Sequence, residues 1–409
     1  MARRAVRMLA WGVGGVALGV ALLFLLLNVV ARTERGHEFV LQRTLSALGK
    51  NVRGGKLLIE RIDGNLFEGA KVYGLRLQDN QGRAFIVADS AFLDYRVTTL
   101  ISPRIQITRA TLYEPEIYIF KLPGDTLWNY QAIFADTTPR DPDRPRIERV
   151  TIIDTIRLFN GIARVQTPWQ PDTSLSPAAQ RAEIAEALSD TSLALVDPVR
   201  GGYIRTMNFT RLYGRVSRVR FAPGTQTGSR IHIDSLRGVA QIFRKPVQFN
   251  QVQGQIALLR DRMELDAPVL RLPNSTFAVS GVVRTDSFPA WFPEDEAPMY
   301  DLALRGDSVA FRDLQWLYPR FPAEARGALS LRIEHRPGGL MFLARDTDVR
   351  APGTHLVGDF GMILGDTLRF VDVDMRADPI RVATVEKMLP EGLPVRGLVL
   401  GGVTIRGER

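Results

Sequence analysis

Residues 299–305 read MYDLALR and residues 328–334 read ALSLRIE. Tyr300, Leu302 and Leu304 alternate with Asp301 and Arg305. Leu329, Leu331 and Ile333 alternate with Ser330, Arg332 and Glu334. Successive side chains of a strand point to opposite faces, so this period of two predicts antiparallel strands with one apolar and one wet face. The same texture extends outward. Val371, Val373 and Met375 alternate with Asp372 and Asp374, and Met263 and Leu265 with Glu264 and Asp266. Nearer the N-terminus, Ile105 and Ile107 oppose Arg104, Gln106 and Thr108. Ala91, Leu93 and Tyr95 oppose Asp94 and Arg96. Tyr73, Leu75 and Leu77 are expected on one face, with Val72, Arg76 and Gln78 on the other. Turn signals separate these runs: Asp63-Gly64, Asn80-Gln81-Gly82, Pro123-Gly124, Pro273-Asn274 and Pro352-Gly353. The expected fold is mostly β, a long series of antiparallel strands. Its apolar face must be buried in a barrel or sandwich, or must form an extended groove in a solenoid-like curled sheet.

Two stretches break the pattern. Met8–Ala31 has 24 residues with Asn28 as its single polar side chain, preceded by Arg3, Arg4 and Arg7. That length suits a transmembrane helix, and the leading arginines favour a cytoplasmic N-terminus with the bulk of the chain exported. A cleaved signal peptide fits less well, since Leu25–Val30 is bulky where cleavage needs small residues. Gly15 and Gly19 match the small-xxx-small spacing of helix packing in membranes. Glu34–Leu48 reads as a short helix. Residues 136–146 are rich in Pro, Asp and Arg, and Ser176–Ser189 reads as a helix with Pro177 in its first turn. The expected organisation is therefore 1–32 tip and anchor, 33–50 short helix, 51–133 first β segment, 134–205 a loop and helix insertion, and 206–409 further β repeats.

Composition narrows the chemistry. The chain of 409 residues has no cysteine, which excludes disulfides and Cys-ligated metal. The first 50 residues hold seven Lys/Arg against Glu34 and Glu38, so +5 of the net +9 belongs to them. The remaining basic residues are spread along strands, which speaks against nucleic-acid binding. Four histidines, His37, His232, His335 and His355, have no ligand spacing. Asp372, Asp374 and Asp378 fit the wet face of a strand better than a calcium loop. No nucleophile–base set, phosphate loop or dinucleotide fingerprint stands out. The expectation is a non-enzyme without cofactor or metal.

Residues 55–121 contain IERIDGNLFEGA, then GLRLQDNQG, ADSAFLDYRVTTLIS and ITRATLYEPEIYI. This succession, behind an anchor and a short helix, resembles the start of the TamB and AsmA-like family of bacterial envelope proteins. Residues 249–293 and 313–361 resemble the family's repeated strand units. The resemblance implies an inner-membrane protein with a periplasmic β-groove, open along one side, that carries phospholipid between inner and outer membranes. Its TamB branch also implies assembly of outer-membrane or secreted proteins by β-augmentation with an outer-membrane barrel partner. On that reading the lipid path is lined by Tyr73, Leu75, Leu77, Leu93, Tyr95, Ile105, Ile107, Leu302, Leu304, Leu329, Leu331, Ile333, Val371 and Val373. The chain departs from the family in the 134–205 segment and in lacking a long C-terminal half, so it is expected to be a partial member.

Overall fold

The computed structural model describes residue 52 and residues 54–65, 69–95, 104–134, 150–171, 176–221, 228–242, 244–259, 262–284, 299–316, 319–336, 339–364, 368–381, 383–384, 399–400 and 403–406. The expected membrane helix, its Gly15 and Gly19, the helix at 34–48 and the linker at 136–146 lie outside these residues. Among the described residues, no helix is long and apolar enough to cross a membrane.

Nineteen strands form one continuous sheet. β1 (Gly55–Leu58) and β2 (Arg61–Asn65) share one edge of β3 (Gly69–Asp79). Asp63-Gly64, expected as a turn, thus lies inside β2, opposite Lys71 and Ala70. β4 (Ala84–Tyr95) follows through a tight turn. There the buried Asp79 carboxylate accepts hydrogen bonds from the amides of Gln81 and Arg83, 2.9 Å each, and from Arg83 Nε at 2.7 Å. β5 (Arg104–Tyr113) and β6 (Glu116–Phe120) share the far edge of β4.

The chain then crosses over through α1 (Asn129–Phe134). Asn129 pins this helix to the end of the sheet: Nδ2 donates to the Tyr118 carbonyl at 2.6 Å and Oδ1 accepts from the Phe120 amide at 3.1 Å. Ile133 is fully buried against Gly55, where a Cβ would come within 3.2 Å of it. The crossover lets β7 (Val150–Trp169) run parallel to β5 and β6. α2 (Pro177–Leu188) and β8 (Ala194–Val196) precede β9 (Tyr203–Phe221), which pairs with β7 on one side. β8 and β10 (Ser229–Gln241) share its other side.

A plain antiparallel meander continues through β11 (Val247–Leu258), β12 (Arg262–Arg271), β13 (Thr276–Arg284) and β14 (Met299–Ala310). It goes on through β15 (Arg326–Arg336), β16 (Gly339–Ala351), β17 (Thr354–Leu364) and β18 (Leu368–Ala377). β19 (Ile380–Arg381) and β20 (Val399–Leu400) make a small separate ladder, and β21 (Val403–Arg406) returns to pair with β18.

The expected helix at 176–189 is present, but 134–205 is not simply a loop and helix insertion. Residues 150–169 form the longest strand of the sheet. Its pairing with β5, β6 and β9 joins the two halves.

Long strands bend where single residues take positive φ: Gly74 at 59°, Asn160 at 54°, Arg211 at 52°, Arg218 at 48°, Asp346 at 48° and Asp372 at 51°. At several of these the alternation slips by one, so inward positions run Val72 then Leu75, and Val216 then Val219. The kinks line up between neighbours. Glu114, itself at φ 49°, donates its amide to the Phe159 carbonyl at 2.8 Å, and its carboxylate accepts from Asn160 Nδ2 at 3.2 Å. Such bulges bend a strand and increase its twist.

One core cluster ties β9 to β14 together: Leu212, Ala240, Phe249, Leu272, Phe277 and Val309. The 3-10 turn Phe311–Leu314 folds Phe311 and Leu314 onto it, and Phe311 meets Phe321 edge-on at 5.3 Å. We predict that Phe277→Ala costs about 3–5 kcal/mol, whereas Leu302→Ala, on the half-exposed part of the same face, costs about 1 kcal/mol. Urea unfolding midpoints of the two variants would show this order.

Candidate functional site

The register of the ladders aligns apolar side chains into rungs that cross the sheet. One rung runs Ile62, Val72, Ala91, Leu112, Leu158, Gly214, Leu236, Val252, Leu270 and Phe277, each paired with the next. A second runs Leu57, Leu77, Ile86, Ile117, Ala163, Phe209, Ala240 and Val247. A third spans β10 to β18 through Ile231, Ile256, Leu265, Gly281, Leu302, Ile333, Phe342, Met362 and Phe370. With strands about 4.8 Å apart, eight steps of that rung cover roughly 38 Å. Gly281 is the gap into which Leu302 leans: a Cβ there would lie 2.8 Å from Leu302 Cδ2. Gly214 does the same for Leu236, at 3.0 Å from its Cδ1.

These rungs share one face. At its lower end lies the buried cluster around Phe277 and Val309. The third rung is different: its side chains are half-buried, and Phe370 is 57% exposed. The opposite face carries the charged side chains, with Met341, Leu343 and Val371 among them. Arg332 donates to both oxygens of Asp301, at 3.1 and 3.3 Å, and lies 2.6 Å from Glu334. Arg345 spans Asp359 and Asp372 at 3.0 and 2.6 Å. The hydrogen bond to Asp301 raises the pKa of Arg332, and those to Asp359 and Asp372 raise that of Arg345.

Most residues expected on the apolar face are there. Leu302, Leu304, Leu329, Leu331 and Ile333 lie on adjoining rungs of β14 and β15. Leu75 and Leu93 pack on Ala70, Val72 and Ala91, and Leu77 belongs to the second rung. Ile107 pairs with Ile153, which pairs with buried Val219. Val373 shares the side of buried Met375. Two expectations fail. Tyr73 lies on the polar face, with Arg61 4.3 Å and Lys71 4.8 Å from its ring centroid, because the kink at Gly74 separates its face from that of Leu75. Val371 is on the polar side with Leu343: a Cβ on Gly361 would meet both, at 3.0 and 2.8 Å, and the kink at Asp372 separates Val371 from Val373. The side chains of Tyr95 and Ile105 lie outside the described residues.

The rungs also include residues that alternation alone missed. Val72 was assigned to the wet face, and Leu158 lies in a segment not read as strand. A signal was present for Val72, since a glycine at 74 is a natural point for the period to slip.

Ser217 Oγ donates to Asp234 Oδ1 at 2.6 Å, and His232 Nε2 lies 3.6 Å from the same oxygen, so both face a carboxylate and not each other. His355 Nε2 lies 2.9 Å from Asp348. Among the described residues no group of His, Asp and Glu is arranged to hold a metal ion.

No family model, curated protein or solved structure matches the chain.

Native protein should bind an apolar dye that fluoresces on leaving water. Leu302→Asp with Ile333→Asp should remove most of that signal while Asp301→Asn leaves it unchanged. A dye titration with circular dichroism as the folding control would measure this.

Proposed function

We propose that this is a membrane-anchored envelope protein whose apolar face is an open groove that carries phospholipid acyl chains. The observation that supports this most is the third rung, an apolar track across nine strands with half-exposed side chains and a charged row on the reverse face. The resemblance of residues 55–121 to the TamB and AsmA-like envelope proteins points the same way. So does the apolar, Arg-led segment at 8–31, which suits an inner-membrane anchor with the β-structure in the periplasm.

The mechanism is passive. Each CH₂ removed from water contributes about 0.8 kcal/mol, so an acyl chain held on the rungs is opposed from entering water but moves readily between equivalent rungs. Headgroups remain in solvent at the open side. Direction comes from a gradient or from a partner.

One observation favours a second reading, a scaffold for outer-membrane or secreted proteins. Among the described residues, β2 and β21 each pair on one side only, which leaves backbone donors and acceptors for β-augmentation with a barrel partner or client.

A photo-crosslinking residue at Leu302 or Ile333 should capture phospholipid in cells, and one at Asp301 or Arg332 should capture little. Equal capture on both faces would remove the conduit. Leu302→Arg should retain expression and membrane location yet fail to complement an envelope-permeability defect, because an ion in the track must be desolvated by every passing chain. Asp301→Arg should complement. Full complementation by Leu302→Arg would favour the scaffold.

A further inference from the structure

Three adjacent strands gather a charge that is dispersed in the sequence. β7, β9 and β10 contain nine arginines, no lysine, and only Asp154 and Asp234 as acids, a net of +7. The register places Arg157 opposite Arg215 and Arg220 opposite Arg230. Like charges directly opposite each other destabilise a sheet, so these pairs call for an anion outside it. Asp234 does not supply enough. It is committed to Arg215 at 2.8 Å and to Ser217 at 2.6 Å. Arg157, Arg220 and Arg230 have no acidic partner among the described residues.

Aromatic rings stand among the guanidiniums. Tyr113 and Phe159 stack at 5.3 Å and are 43% and 41% exposed. Arg237 lies 5.2 Å from the ring centroid of Tyr213. Arg157, Phe159, Tyr213, Arg215, Ser235 and Arg237 line a shallow depression. It lies on the face opposite the apolar rungs, since Leu158 and Leu236 between these residues point the other way.

We infer that this band docks on the surface of an anionic phospholipid bilayer. Guanidinium forks take phosphate oxygens bidentately, which suits a headgroup layer better than lysine would. Exposed Tyr and Phe rings gain from an environment with hydrocarbon just beneath the phosphates. A nucleic acid or other soluble polyanion offers the phosphates without the hydrocarbon, and leaves Phe159 in water. Docking would hold the sheet against the membrane by its polar face and leave the apolar rungs facing away. The inference therefore stands or falls separately from lipid transport.

The chain has no cysteine, so Ser235→Cys in the full-length protein gives one site for an environment-sensitive fluorophore. Ser235 is exposed, and its substitution disturbs no hydrogen bond of the depression. The labelled protein is combined with bilayers of phosphatidylcholine alone or mixed with phosphatidylglycerol. A blue shift and quenching by a headgroup-attached nitroxide are expected with phosphatidylglycerol only, and high salt should reverse both. Arg157→Gln with Arg237→Gln should abolish the response, and a label at Ser280→Cys, on the same face beyond the band, should stay water-like. A photo-reactive residue at Phe159 gives a second reading without cysteine, as phosphatidylglycerol capture. Equal responses in the two bilayers, an equal response at Ser280, or a response to duplex DNA or heparin but to neither bilayer would overturn the inference. Lipid capture at Leu302 with no response at Ser235 would do so while leaving the conduit intact.

Discussion

The whole structure depends on the backbone ladder between neighbouring strands. Along most of its length the sheet is a single layer, and no second sheet covers its apolar face among the described residues. Hydrogen bonds from strand to strand therefore carry the order that a sandwich would obtain from face-to-face packing. Where burial is complete, it is local: the 3-10 turn closes over Val309 and Phe277, and α1 closes the end of β1, β3 and β6 around Ile133. Between these ends, each strand leans only on its neighbours, as in a solenoid.

Kinks at positive φ reconcile long strands with a continuous apolar face. A strand of about 20 residues twists too far for one face to stay aligned with its neighbours. Asn160, Arg211, Arg218, Asp346 and Asp372 occupy the left-handed region at a cost of order 1–3 kcal/mol each. Side-chain hydrogen bonds offset part of it. Asn160 reaches Glu114, and Asp372 takes the guanidinium of Arg345.

The class of fold was legible because period two survives wherever strands are straight. β14 and β15 were read residue for residue, and the charged row Asp301, Arg332 and Glu334 fell on the side expected. What alternation could not convey was the slip at a kink. Tyr73 and Val371 each lie one residue from a positive-φ position, and both were placed on the wrong face for that reason. β7 was overlooked because the Pro- and Asp-rich run before it and the helix after it suggested an insertion, while its own pattern slips at Asn160. The Arg band was invisible for a different cause. Arg157 and Arg215 are far apart in sequence, and only the register sets them opposite each other.

The single parallel step between β6 and β7 has a consequence for the two margins of the sheet. In a meander that reverses at every step, direction alternates without exception. One unreversed step shifts the count, so β21 runs in the same direction as β1 and β2, although many strands lie between them. If copies were set side by side by simple translation, their facing margins would point the same way. They could join only through the slanted, slightly weaker bonding of parallel strands, and the stronger antiparallel join would require one copy to be inverted. The crossover at α1 thus gives β2 and β21, among the described residues, the same direction, and closes the antiparallel join between them to copies related by translation.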